Sequence, residues 1–318
     1  MEFLLILLLA LAVITAAVLI ISYFCFRQAF YVPKRDPQSL GVVEMPEGEV
    51  YEPFKERIEH WAKETKSMPH REFCITSFDG LKLYAKYYEC RKGAPIELMF
   101  HGYRGSAQRD LAGGVQRCFK LGRNAFIVDQ RCSEKSEGKV ITFGINEHRD
   151  CMGWIDFVIT HFGNDVKIIL AGISMGAATV LMAAGNPLPK NVVGVLADCG
   201  FNSAKDIIKK VIKDMGLPSS LGYRFVKLGA RIYGHFDLEE TCPETALKSC
   251  RLPVIFFHGE ADDYVPCYMS KINYDACQSR KMLVTVAGAG HGLSYPVAPE
   301  KYLSALKEFF AEEAPCNE

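Results

Sequence analysis

The sequence predicts an α/β domain built on a mostly parallel sheet, with helices on both faces, behind one apolar N-terminal helix. Three observations carry that expectation. From residue 95 onward, short apolar runs alternate with longer stretches of helical periodicity. Those runs are largely apolar, as strands covered on both faces are. Phe3 to Phe26 contains no charged residue; at ~1.5 Å rise per residue it makes a helix of roughly 36 Å, enough to span a bilayer with some tilt.

The apolar segment comes first. A cleaved signal peptide would need a basic leading region, and only Glu2 precedes the run. The expected division is a transmembrane anchor over 1–26, a juxtamembrane linker over 27–49 with three prolines, and the main domain over 50–318. Arg27, Lys34 and Arg35 follow the span and no Lys or Arg precedes it, which places the domain on the cytoplasmic side of a single-pass cell-membrane protein.

Tyr51, Phe54, Ile58 and Trp61 then form one helical stripe, read as a helix docked on the domain. REFCITS and LKLYAKYYE are strands, with Phe78-Asp79-Gly80 between them as a hairpin signal. PIELMF is a strand, RDLAGGVQRCFKLG a helix, NAFIVD a strand and 146–162 a helix. VKIILAG, NVVGVLAD, LPVIFFHG and KMLVTVAG complete the strands, and MGAATVLMAA forms the helix after the first of them. The stretch 203–247 interrupts this rhythm. It reads as a small helical cap over the carboxyl end of the sheet, with Leu221 and Phe225 as its apolar substrate contacts.

Composition narrows the function. At 318 residues and 49% hydrophobic, the chain can bury a substantial core. Its formal net charge is zero and it has no Lys/Arg-rich block, so it lacks the electrostatic footprint of a nucleic-acid binder. HExxH, CxxC and GxxxxGK[ST] are absent, so no metal or nucleotide site is expected. The twelve cysteines are scattered singly and read as small buried hydrophobes kept reduced.

The segment KIILAGISMGAATVLMAAG places Ser174 in Gly172-Ile173-Ser174-Met175-Gly176, between a buried strand and a helix of small residues. A nucleophile at such a junction sits on a sharp, strained turn that exposes its Oγ. Serine needs a base. With the order serine, acid, histidine, only His235, His258 and His291 lie downstream. His291, in the Gly-rich AGAGHGLS after the last strand, is the one placed to swing onto Ser174. The acid comes from FFHGEADDYVP, with Glu260, Asp262 and Asp263 as candidates, or from Asp198 at the end of NVVGVLAD. Two backbone N–H groups are needed for an oxyanion. Met175 supplies one, and Tyr103, in the HGYRGS loop after PIELMF, is expected to supply the other. Arg104 is expected to face solvent and His101 to be structural.

Assembled, these segments resemble the α/β-hydrolase superfamily over residues 70–312, through MFHGYRG, VDQRCSEKSEG, GISMGAAT, HGEADDYVP and GHGLS. The H-G-x-x-D-x-x-V-P pattern of that superfamily implies Asp262 as the acid. Cys132 departs from it, standing where relatives carry Gly in D-x-R-G-x-S. The layout is similar to membrane-anchored serine hydrolases of the esterase and lipase branch. It implies a cofactor-free serine esterase using Ser174, His291 and Asp262 on an apolar acyl or aryl ester, which includes lipids and acylated molecules. A thioesterase or serine peptidase would use the same triad. A membrane-tethered binding protein without turnover is the alternative of another class.

Overall fold

A computed structural model describes residues 1–33 and 48–314; Lys34, Arg35, most of the expected linker and Cys316 lie outside the described residues. The chain opens with α1 (Glu2–Ala29), which is long and apolar enough to cross a membrane. It continues to Ala29 instead of stopping at residue 26. After α2 (Glu52–Ser67) come β1 (Arg71–Thr76) and β2 (Lys82–Tyr88), an antiparallel hairpin. Its turn is closed by the Ser77 hydroxyl, which donates to Asp79 and accepts from the Leu81 amide, with Gly80 at φ 90°.

The alternating part runs β3 (Ile96–Phe100), α3 (Ala107–Asp110), α4 (Ala112–Lys120), β4 (Asn124–Asp129), α5 (Glu147–Phe162), β5 (Ile168–Ile173), α6 (Met175–Ala183) and β6 (Val192–Asp198). The helix expected over 109–122 is therefore two, meeting at Leu111, which ends α3 and starts α4. The interrupting stretch holds α7 (Ala204–Asp214), α8 (Ser219–Tyr233) and α9 (Pro243–Ala246). The rhythm resumes with β7 (Val254–Gly259), α10 (Tyr268–Ala276), β8 (Lys281–Val286), α11 (Ser294–Val297) and α12 (Pro299–Phe309).

The eight strands form one sheet in the order β1-β2-β4-β3-β5-β6-β7-β8, antiparallel from β1 to β4 and parallel from β4 to β8. Strand pleating sends neighbouring residues to opposite faces. Leu98, Phe100 and Leu170 pack with Trp154 of α5 and Val180 and Leu181 of α6. Met99, Ile127 and Leu196 pack on the other face with Val115 of α4 and Leu306 and Phe309 of α12. A third apolar cluster joins the end of α1, through Phe26 and Phe30, to Ile208 of α7 and Val226 and Ala230 of α8.

Gly229 decides how closely α1 and α8 approach. A Cβ there would lie 2.4 Å from the Ser22 carbonyl oxygen and 3.0 Å from the Phe26 Cβ. Small residues at such crossings let two helix backbones touch. Ser22 is fully buried although it belongs to the apolar helix, and Tyr233 donates to the Leu19 carbonyl at 3.1 Å. The last turns of α1 are thus packed into the α/β domain, while the earlier residues from Phe3 to Ile14 stand exposed.

Candidate active site

Ser174 sits between β5 and α6 with φ 56° and ψ −120°, a conformation a side-chain-bearing residue adopts only under constraint. The constraint is close packing. A Cβ on Gly172 would come 2.1 Å from the Gly176 carbonyl oxygen, and one on Gly176 would come 2.0 Å from that of Phe100. The Ser174 amide donates to the Asp198 carbonyl at 2.8 Å, which ties the turn to the end of β6.

The loops after β7 and β8 meet this serine. His291 Nε2 lies 2.9 Å from Ser174 Oγ, and His291 Nδ1 lies 2.7 Å from Asp262 Oδ2. Asp262 Oδ1 accepts from the amides of Tyr264 at 3.1 Å and Val265 at 2.8 Å. Burial alone would raise the Asp262 carboxyl. Hydrogen bonds from His258, His291 and the Val265 amide outweigh it and hold the pKa at about 2. His258 is fully buried, facing Ser270 Oγ at 2.6 Å and the Val265 carbonyl at 2.7 Å. Tyr51, at the start of α2, donates to the His291 carbonyl at 3.1 Å, and the Tyr264 ring stands edge-on to the imidazole.

The other acid candidates lie elsewhere. Glu260 accepts from Thr285 at 2.6 Å. Asp198 accepts from Ser294 and Tyr302, each at 3.0 Å, and burial pushes its carboxyl up. Asp263 is at the edge of the cavity described next. His101 Nε2 accepts from the Gln130 amide at 3.0 Å, the structural part expected of it.

The loop 101–106 is held from within by Asp110, which accepts from the Gly102 amide at 3.0 Å and is paired with Arg109 at 2.6 Å. From outside, the Tyr103 hydroxyl donates to the Ala29 carbonyl at 2.7 Å. Arg104 is exposed, as expected, but its guanidinium is also engaged. At φ 53° it reaches the carbonyls of Gln28 at 2.8 Å and Tyr31 at 3.2 Å.

A cavity of about 510 Å³ opens at Ser174 and His291. It runs between the sheet and α2, with Met99, Ala171 and Leu196 as its floor and Ile58 and Trp61 of α2 as a wall. Trp61 is fixed by stacking on Tyr295, centroid to centroid 5.3 Å. Leu221 and Phe225 do not line this cavity. The reason is the α1 contact: α8 turns Tyr223, Val226, Gly229 and Ala230 inwards, and Leu221 is left 52% exposed. The amphipathic stripe from Tyr51 to Trp61 was legible, but nothing in it named the cavity as the surface it covers.

Cys199, at φ 46°, brings its sulfur within 4.8 Å of ligand atoms of Asp262 and His291, a group compact enough for a metal ion. The carboxylate and imidazole atoms involved already bond each other. Burial, with the nearby Asp198 and Asp262 charges, pushes the Cys199 thiol well up, away from the thiolate a metal would want. Cys132 sits at φ 68°, the left-handed backbone in which Gly is the unstrained choice.

A sheet with its serine turn after β5, and loops after β7 and β8 converging on it, defines the α/β-hydrolase fold. No family model matches the chain. Its sequence is 23% identical over 304 residues to the protein YqkD of Bacillus subtilis, covering 95% of this chain and 96% of that one. Among solved structures it is similar to an esterase of Pyrococcus furiosus, with a TM-score of 0.65, 20% identity, and coverage of 86% of this chain and 98% of that one. It is also similar to Est1E of Butyrivibrio proteoclasticus, solved with ferulic acid bound, with a TM-score of 0.59, 20% identity, and coverage of 76% and 98%.

Proposed function

We propose that the protein is a membrane-anchored serine ester hydrolase with Ser174 as nucleophile, His291 as base and Asp262 as orienting acid. The observation that carries this reading is the unbroken line of hydrogen bonds from Ser174 through His291 to Asp262. Likeness to two esterases in fold supports ester chemistry over other uses of the same triad.

Ser174 Oγ attacks the acyl carbonyl and gives its proton to His291 Nε2. The amides of Tyr103 and Met175 receive the oxyanion; among the described residues neither donates to a protein acceptor. The tetrahedral adduct collapses, the C–O bond to the leaving alcohol breaks, and the alkoxide takes the proton from His291. Water, deprotonated by the same imidazole, then attacks the acyl-enzyme and frees Ser174. Asp262 stays ionised throughout, holding the imidazole with Nδ1–H towards itself and stabilising the imidazolium. The cavity under α2 takes the acyl or aryl group, and its apolar walls favour a hydrophobic one.

Retention of α1 as an anchor, in place of removal as a signal, is supported by its buried end. Ser22, Phe26 and Phe30 belong to the packed interior, and cleavage would expose their partners. The membrane-facing length that remains suits lipid or acylated substrates reached from the cytoplasmic side. An impermeant thiol label on intact cells tests the side, and strong labelling of the domain would place it outside.

Fluorophosphonate labelling tests the chemistry. The wild-type protein should react covalently and Ser174→Ala should not. A wild-type chain that neither labels nor hydrolyses p-nitrophenyl esters would favour a binding protein that keeps the fold without turnover.

A further inference from the structure

Four consecutive carbonyls at the end of α1 are taken by two loops of the α/β domain. Gln28 and Tyr31 accept from the Arg104 guanidinium at 2.8 and 3.2 Å, and Ala29 accepts from the Tyr103 hydroxyl at 2.7 Å. Phe30 accepts from the Ile141 amide at 2.9 Å, and the Val32 amide answers with a bond to Lys139. The last carbonyls of a helix have no partner within it, so these donors cap α1, and a guanidinium there also meets the negative end of the helix dipole. Phe30 is fully buried, edge-on to Phe143 and Phe236, and Phe143 in turn packs on the Tyr103 ring at 5.1 Å.

The two capping residues are consecutive, and the first carries the amide assigned to the oxyanion. They are the two central residues of a turn that the Gly105 amide closes on the Gly102 carbonyl at 3.1 Å, so the side chains of Tyr103 and Arg104 bear on how that turn, and the amide within it, is seated. The inner tethers, Asp110 on the Gly102 amide and Ser133 on the Gly105 carbonyl, hold the two ends of the turn, and the α1 carbonyls hold the side chains at its tip. Arg104 is kept in the left-handed region, a conformation that needs a constraint, and the α1 carbonyls are the partners its side chain finds.

We infer that the end of the apolar helix is a working part of the active site: by holding the Tyr103 hydroxyl and the Arg104 guanidinium, it sets the direction of the Tyr103 oxyanion amide. Tyr103 and Arg104 are, through their side chains, positioning residues for ester hydrolysis, and the docked helix couples turnover to its own seating. The inference rests on the hydrolase reading above.

The test uses the full-length protein in detergent micelles, with p-nitrophenyl butyrate for turnover and a fluorophosphonate for the rate of Ser174 labelling. Tyr103→Phe removes one hydroxyl and keeps both the ring and the backbone N–H. Arg104→Ala removes the other tether, and Arg104→Lys returns a single cationic donor. A misdirected oxyanion donor weakens the transition state and leaves substrate binding alone. Loss of a whole donor costs ~100- to 1,000-fold in kcat, so loosening one is expected to cost about 10- to 100-fold. The expected result is that fall in kcat for Tyr103→Phe combined with Arg104→Ala. KM should stay within about twofold, Ser174 labelling should slow in proportion, and Arg104→Lys should recover part of the loss. A purely structural cap would lower the thermal midpoint without this split, and that outcome overturns the inference. Should the double variant not fold, Tyr103→Phe alone decides, since it deletes a single oxygen: unchanged kcat and labelling overturn the inference. Wild-type protein that neither labels nor turns over overturns the hydrolase reading, and this inference with it.

Discussion

Replacing Asp262 by Asn keeps the shape of the acid and removes its charge. The native site holds this carboxyl at about 2, against an ordinary 3.8. At about 1.4 kcal/mol for each tenfold change in proton affinity, the site prefers the carboxylate over the neutral acid by roughly 2 kcal/mol. An amide can still accept at Oδ1 from the Tyr264 and Val265 amides. Its NH₂ group, however, would face His291 Nδ1 and His258 Nε2, which lie 2.7 and 3.3 Å from Oδ2. The imidazole then accepts at Nδ1 and carries its proton on Nε2, where it cannot take the proton of Ser174. Loss of that tautomer control costs ~10⁴-fold in kcat in serine hydrolases of this design. The expected outcome for Asp262→Asn is a folded protein with kcat down by about 10³- to 10⁴-fold, KM little changed, and stability lowered by roughly 2 kcal/mol at neutral pH.

The pH dependence carries a definite sign. The folded pKa is depressed, so the carboxylate's contribution is complete above about pH 4 and is lost as pH falls towards 2. Urea denaturation of wild type and variant should therefore differ most near neutrality and converge in acid. Steady-state kinetics with p-nitrophenyl butyrate reads the rest. If Asp262→Asn keeps more than a tenth of wild-type kcat, something other than this carboxylate orients His291, and the triad as drawn here is wrong.

Gly176→Ala should prevent accumulation of folded protein, because the new Cβ would meet backbone on β3 at 2.0 Å with no flexible group to yield; soluble yield and far-UV circular dichroism read it. Trp61→Ala should lengthen the cavity and shift the preferred p-nitrophenyl ester to a longer acyl chain, while Leu221→Ala leaves the chain-length profile unchanged. The reverse pattern would return the acyl site to α8. Gly229→Leu should push α1 off α8 and cost about 1–3 kcal/mol, read as a fall of several degrees in the thermal midpoint of the full-length protein.

The strands were legible because covered parallel strands are short, apolar and bounded by Gly or charge. Their order is not written in any one run, and the hairpin at the sheet edge was readable from Asp79 and Gly80 alone. Ser174 was legible because its neighbours must be small, and the distances at Gly172 and Gly176 give the steric reason. His291 could be picked by its place after the last strand. Asp262 could not be separated from its neighbours by charge or spacing. What distinguishes it in three dimensions is a set of donors, two of them backbone amides, which leave no mark in a sequence.

The α1–α8 contact failed to show for a related reason, and it accounts for the absence of Leu221 and Phe225 from the cavity lining at Ser174. Reading 203–247 by its large apolar residues selected Leu221 and Phe225. The contact is made on another side of α8, where Gly229 and Ala230 let the α1 backbone come within touching distance and Tyr233 reaches the Leu19 carbonyl. Small residues permit close backbone approach, which gains dispersion contact between the helices themselves, and a reading by large apolar residues does not register such positions. Once α8 is committed to α1, it cannot also roof the cavity. That role falls to α2, whose Ile58 and Trp61 are large because they fill space over Met99 and Leu196. On the proposed reading, the apolar helix at the start of the chain bears on the site twice: α8 packs on it and does not line the cavity, and its last carbonyls accept from the loop beside Ser174.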